Sequence, residues 1–159
     1  MSPLPEDPTL DEVRAYLAPI LPRHAAFDGW RAEAVTMAAG EGGVDTEIAQ
    51  LAFSAGAMHM IDAWFASIDA RMIEALPPEK IATMSIRQRI TALITARLKL
   101  LAHDREALRR ALAVMAMPQN SARAAKLGWR AADVMWRAGG DSATDFNHYS
   151  KRLTLAAVY

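Results

Sequence analysis

Few residue types in this chain can do chemistry, and their spacing limits what that chemistry is. There are no cysteines in the 159 residues, so disulfides, thiolate nucleophiles and cysteine-based zinc sites are excluded. The four histidines are His24, His59, His103 and His148. His59 and Asp62 lie three apart, on one face of a helix, but two ligands rarely make a metal site, and a polar patch is the simpler reading. No Glu is followed three positions later by His, as a di-iron helical bundle requires. There is no nucleophile elbow, no HExxH, and the glycines at 40, 42 and 43 are not followed by Lys-Ser or Lys-Thr as a phosphate loop would be. The densest polar and aromatic constellation comes late: Asp145, Phe146, His148, Tyr149 and Arg152 on one predicted helix. Nothing in it forms a catalytic set, so an enzyme is not expected, and no cofactor or metal is implied.

The elements that position these residues are all helical. About half the chain is apolar and alanine alone is roughly a fifth of it, a composition that favours helix. No stretch alternates in the way a half-buried strand does. Thr9 to Glu12 reads as a capping box, and the helix behind it places Val13, Tyr16, Leu17, Ile20 and Leu21 on one face, with Pro22 ending or bending it. Phe27-Asp28-Gly29 reads as a turn. Short helices follow at about Trp30–Ala39 and, capped by Asp45, Thr46–Phe53. A longer one runs from about Ala57 to Glu74, up to the Pro77-Pro78 boundary. Ser85 and Gln88 form a second capping box, ahead of a helix with Arg87, Arg89, Arg97 and Lys99 on its exposed face. Asp104 begins a helix to Met117 with Leu108, Leu112 and Met115 facing in, and Pro118 ends it. A last hairpin joins Ser121–Ala138 to Thr144–Tyr159 across Gly139-Gly140, glycines suited to the left-handed conformation that closes a helix.

The expected architecture is therefore all-α and a single domain over 1–159. Three short N-terminal helices form a helix-turn-helix-like head, about 9–55, ahead of a helical bundle body, about 56–159. The interior of the body is expected to be lined by Trp64, Phe65, Met72, Ile90, Leu93, Ile94, Leu98, Met115, Trp136 and Leu153. Nine Met and four Trp supply adaptable apolar surface. These residue types fit a packed core and a lipid cavity equally well.

Charge weighs against nucleic acid. Eighteen basic residues balance eighteen acidic ones. Between Ala32 and Ala70 there is no Lys or Arg, while Glu33, Glu41, Asp45, Glu47, Asp62 and Asp69 are acidic. In the candidate recognition helix only Gln50 can read a base edge, and that surface would repel phosphates. The N-terminal MSPLPEDPTL has neither a signal-peptide core nor the pattern of a transit peptide. Apolar runs of about seven residues fall well short of the roughly 20 that span a bilayer. A cytoplasmic chain, peripheral to a membrane at most, is expected.

Four segments carry a family resemblance across nearly the whole chain. They are Phe27-Asp28-Gly29-Trp30 with Ala38-Ala39; Arg97-Leu98 with ALAVMAMPQN from Ala111 to Asn120; Asp133 to Trp136; and Gly140-Asp141-x-x-Thr-Asp-Phe-Asn-x-Tyr-x-x-Arg. Together they resemble the lipid-binding accessory proteins of ubiquinone (coenzyme Q) biosynthesis, ninth of the Coq series, whose fold is TetR-like. The resemblance implies a non-enzymatic homodimer that holds a lipid or isoprenoid quinone intermediate. It also implies presentation of that intermediate to the di-iron hydroxylase acting on demethoxyubiquinone, through Asp133, Met135, His148 and Tyr149. Met135 and Tyr149 would then form an exposed apolar patch at the hairpin corner. It places the protein at the bacterial inner membrane, or on the matrix side in mitochondria. His148 stands where the family often has Trp, Val134 replaces a second acid, and Ala107-Leu108-Arg109-Arg110 replaces a Trp-Pro segment. The family's C-terminal amphipathic helix, which reaches the membrane, is expected beyond Tyr159, so this chain should bind bilayers poorly. A ligand-responsive TetR-type repressor is the alternative function, and a purely structural dimerisation domain the third.

Overall fold

The computed structural model describes residues 3–139. Within that range every regular element is helical: α1 (Leu10–Leu17), α2 (Leu21–Asp28), α3 (Ala32–Gly42), α4 (Thr46–Ala52), α5 (Ala57–Ala75), α6 (Pro78–Ile81), α7 (Ile86–Ala102), α8 (Arg105–Met115) and α9 (Ser121–Ala138), with a 3-10 turn at Pro118–Asn120. The expected all-α class holds. Backbone contacts divide the chain into two compact units, Met1–Ser67 with Asp104–Asn120, and Ile68–His103 with Ser121–Tyr159.

Local chemistry sets the helix starts. Thr9 Oγ accepts from the Glu12 amide at 3.1 Å while Glu12 accepts from the Thr9 amide at 3.0 Å, the reciprocal box that satisfies two orphan donors. Ser85 and Gln88 repeat it at 2.9 and 3.2 Å. Asp45 accepts from Glu47 and Ile48 amides at the head of α4. Ser85→Ala is expected to lower stability by about 1 kcal/mol, read from the urea midpoint; an unchanged midpoint would mean that the cap adds nothing beyond tertiary packing.

Two boundaries differ from expectation. Pro22 opens α2 rather than ending the preceding helix, so the head contains four short helices, not three. Its missing N–H is harmless in a first turn and its fixed φ suits a helix start. Gly139 follows α9 as expected, but without positive φ. Its use is steric, because a Cβ there would stand 3.0 Å from Ile90 Cδ1.

In the first unit, α1, α2, α3 and α4 pack on one another, and α8 lies against α2. Val13, Leu17, Leu21, Ala34, Val35 and Ala38 are fully buried. Arg14 donates to Ala52 O at 3.0 Å and Tyr16 to Gly42 O at 2.9 Å, tying α1 to the ends of α4 and α3. Contrary to expectation, α8 buries Ala107 and Ala111, leaving Leu108 and Met115 half-buried and Leu112 exposed. The reason is a hydrogen bond that needs bare backbone. Trp30 Nε1 donates to Ala107 O at 3.0 Å. The side chain at 111 lies over the turn that carries that carbonyl, so a methyl group leaves it accessible where leucine would cover it.

In the second unit, α7 pairs with α9. Met72, Ile90, Leu93, Ala132 and Met135 form its buried cluster, with Leu76, Ile94, Leu100 and Trp136 packed partly buried against it. Arg89, expected on an exposed face, is half-buried. It donates to Met84 O, Ala82 O and Gly139 O at 2.9–3.0 Å, satisfying carbonyls before α7 and just past α9.

Candidate functional site

The first unit contains a pocket of about 380 Å³, within the range of small-molecule sites. Its lining comes from three separate parts of the chain. Gly29, Trp30 and Arg31 form the corner between α2 and α3, and Ala57 opens α5. Arg109, Arg110, Ala113 and Val114 come from α8, and Met117 and Asn120 from the turn after it. Each group has a local reason for its place. Gly29 closes α2 at φ +79°, where its amide donates to Ala25 O at 2.8 Å; any Cβ would be strained there. That turn delivers Trp30, which is held by its bond to Ala107 O and by stacking on Trp64 at 5.2 Å between centroids. Asn120 Nδ2 donates to Val114 O at 2.8 Å and folds the turn back on α8.

The wall is apolar and the rim is cationic. Trp30, Ala57, Ala113, Val114 and Met117 supply the wall; Arg31, Arg109 and Arg110 supply charge. Glu106 accepts from Arg109 at 2.6 and 3.0 Å and from Arg110 at 3.1 Å. Those bonds, Arg109's first and then Arg110's, lower its pKa from 4.5 to about 2. The Glu106 bond raises Arg109 in turn. The Arg31 side chain has no hydrogen-bond or ion-pair partner among the described residues. Arg109 and Arg110 thus share one carboxylate, and Arg31 lines the same pocket. Because the folded pKa of Glu106 lies below its unfolded value, its contribution is complete above about 4.5 and fades as pH falls through about 2. The group is exposed, so the gain in stability is small. Carboxyl NMR is expected to show Glu106 titrating near 2; a midpoint near 4.5 would mean that the fork is not held in solution.

The second unit holds a buried ion cluster that sequence reading missed. Arg97 Nη1 donates to Asp69 Oδ1, and both side chains are buried, Arg97 1% and Asp69 7% exposed. Arg130 Nε lies 3.9 Å from Asp69 Oδ2. A signal was present. Asp69 stands at helical spacing from Phe65 and Met72, and Arg97 from Leu93 and Leu101, so each is a charge set in an apolar stripe.

The predicted lining residues separate accordingly. Trp64 and Phe65 lie in the first unit with their rings tilted at 5.4 Å, and Trp64 stacks on Trp30. Met72, Ile90 and Leu93 are in the second unit's buried cluster, with Ile94 and Trp136 packed against it. Met115 is half-buried on α8. Leu98 is 54% exposed and is not an interior residue, because the buried stripe of α7 runs through Ile90, Leu93, Arg97 and Leu101. Leu153 lies outside the described residues. Of the expected partner surface, Asp133 is half-buried and bonded to Arg137 at 3.1 Å. Met135 is fully buried in the apolar cluster, so it cannot be half of an exposed patch. His148 and Tyr149 lie outside the described residues. His59, considered with Asp62 as a metal pair, sits edge-on to Phe53, and no group of three or more metal-ligating side chains occurs among the described residues.

The head also constrains the repressor alternative. Gln50, the one base-reading side chain of α4, spends its amide on Ala32 O and Thr36 Oγ, both at 2.8 Å.

Comparison with known proteins fits the resemblance in the sequence. The COQ9 family model matches residues 121–159, which begin with α9. The ubiquinone biosynthesis protein COQ9 of Rattus norvegicus is 29% identical over 138 residues, covering 82% of this chain and 44% of the rat protein. The chain is similar to COQ9. The Homo sapiens and Bos taurus COQ9 proteins match at 28% and 27% over the same share of the chain. All three are mitochondrial proteins of ubiquinone biosynthesis by name, and the chain spans less than half the length of each. Two of the four segments first read as COQ9-like, Phe27–Trp30 and Ala111–Asn120, are the two that meet at the pocket. A third, Asp133–Trp136, lies at the end of α9 inside the family match. Among the described residues no single helix is long and apolar enough to cross a membrane.

Proposed function

We propose that this chain is a non-enzymatic accessory protein of ubiquinone biosynthesis that binds an isoprenoid or other lipid and presents it to the di-iron hydroxylase acting on demethoxyubiquinone. The observation that carries this reading is the similarity to mammalian COQ9 proteins over 82% of the chain. The pocket of the first unit adds physical support, since its wall is apolar and its size suits part of a lipid. Presentation would use Asp133 on α9 together with His148 and Tyr149, the positions that the resemblance implies for the partner surface. The protein would act as a homodimer at the face of the inner membrane.

Native mass spectrometry of the purified protein, followed by organic extraction, tests the reading. The expected result is a bound isoprenoid or phospholipid released on denaturation. An apo mass with no uptake of added quinone would overturn the carrier role. A pull-down between this chain and the hydroxylase, weakened by His148→Ala and Tyr149→Ala, tests presentation separately.

A further inference from the structure

We infer that the pocket between the Gly29–Arg31 corner and α8 takes the charged end of an anionic amphiphile, a phosphate or carboxylate joined to an apolar chain. The inference rests on the lipid-binding reading above and narrows its ligand class. A site for a neutral quinone needs an apolar wall and a few neutral polar groups. This one has three arginines. Glu106 is shared by Arg109 and Arg110, and the Arg31 side chain has no partner among the described residues. Counted as formal charges, the three cations and one anion leave two positive charges unneutralised. Guanidinium groups suit such a ligand because their fixed fork matches phosphate and carboxylate oxygens in pairs.

Size sets how much of the ligand enters. At roughly 30 Å³ for a water's share of liquid, the cavity volume corresponds to about a dozen small groups. That is enough for a headgroup and its first few carbons but too little for a long isoprenoid tail, which must continue outside. Met117, a lining residue that is 43% exposed, offers apolar surface where the chain leaves. The pairing of charge at the rim with Trp30, Ala113 and Val114 behind it is what separates an amphiphile from a bare anion.

The test is calorimetric titration of the full chain with octyl phosphate, n-octanol and inorganic phosphate as probes, below micelle formation. Octyl phosphate is expected to bind at least about tenfold more tightly than either of the others. Arg31→Ala combined with Arg109→Ala should remove about tenfold of octyl phosphate affinity and leave octanol unchanged. Both substitutions are on exposed side chains, and circular dichroism would verify the fold. Val114→Trp should block both amphiphiles. Equal binding of octyl phosphate and octanol, insensitive to the arginine substitutions, would overturn the headgroup inference while leaving the lipid-binding reading intact. Inorganic phosphate as tight as octyl phosphate would make this a free-anion site and overturn the amphiphile. Octyl phosphate binding unaffected by a folded Val114→Trp variant would move the ligand elsewhere. Uptake of no amphiphile at all, alongside an apo mass by native spectrometry, would take the lipid-binding reading down as well.

Discussion

Asp69→Ala is expected to destabilise the protein by about 3–5 kcal/mol, because it removes the carboxylate that pairs with a buried guanidinium. Arg97 is 1% exposed. With the carboxylate gone, its charge has lost the acidic partner that helped offset its desolvation. Arg97→Ala should cost less than Asp69→Ala. Asp69 then keeps Arg130, whose Nε is 3.9 Å away and whose side chain still reaches water. Against a typical total of about 5–15 kcal/mol, either loss is large. Replacing both partners together, as Asp69→Leu with Arg97→Met, should recover most of it, since an apolar pair of similar volume has no charge to desolvate. Urea unfolding of the two single variants and the double variant forms the cycle. If the double variant is as unstable as Asp69→Ala, the pair does more than neutralise itself, and a role in orienting α5 against α7 becomes the better account.

The second large effect centres on Trp30. Trp30→Ala is expected to cost about 3–5 kcal/mol, the range for deleting a buried aromatic. Trp30 is 4% exposed, stacks on Trp64 and donates to Ala107 O. The conservative changes separate packing from hydrogen bonding. Trp30→Phe removes the indole donor, and with it one net hydrogen bond to a carbonyl that keeps its own bond within α8, at about 0.5–1.5 kcal/mol beyond the volume change. Trp64 is just as buried, but its Nε1 has no hydrogen-bond partner among the described residues. Trp64→Phe removes a donor that is already unsatisfied, so only the packing loss applies. Trp30→Phe should therefore melt lower than Trp64→Phe. The reverse order would show that Trp64 Nε1 has a strong partner in solution, such as an ordered water. Because Trp30 also walls the pocket, Trp30→Ala should weaken any ligand held there, whereas Trp64→Phe should not.

These expectations depend on features that were unequally legible beforehand. Helix positions were legible because their causes are local. Thr9 and Glu12, Ser85 and Gln88, and Asp45 each reach only two or three residues along the chain. Gly43 at φ +69° ends α3 within the glycine cluster read as a break. The acidic character of residues 32–70 needed no structure either, and neither did the resemblance to COQ9. Pro22 was misjudged because proline both ends helices and starts them, and only the preceding residues' path decides which.

Tertiary structure decided which stripe of each helix is buried, and with it the candidate site. On α7, Ile86, Ile90, Leu93, Ile94, Leu98 and Leu101 spread over more than one face, and reading Leu98 inward put Arg97 on the exposed face, the reverse of the structure. Asp69 on α5 settled the choice, because a buried carboxylate requires a cation and leucine supplies none. On α8 the bulky residues lost the inward face to Ala107 and Ala111, because Trp30 needs the bare carbonyl between turns. Met135 was read as surface and is core, because Ile90 and Leu93 of α7 lie against its side of α9. The pocket brings Gly29–Arg31 to residues about 80 positions away on α8, a proximity that no local pattern encodes. Sequence by itself determined the helical class, most helix starts, the acidic head and the likeness to COQ9, because capping, propensity and composition act over a few residues. The buried Asp69–Arg97 pair, the alanine face of α8 and the arginine-rimmed cavity were decided only when the helices packed, because each requires a partner from a distant part of the chain.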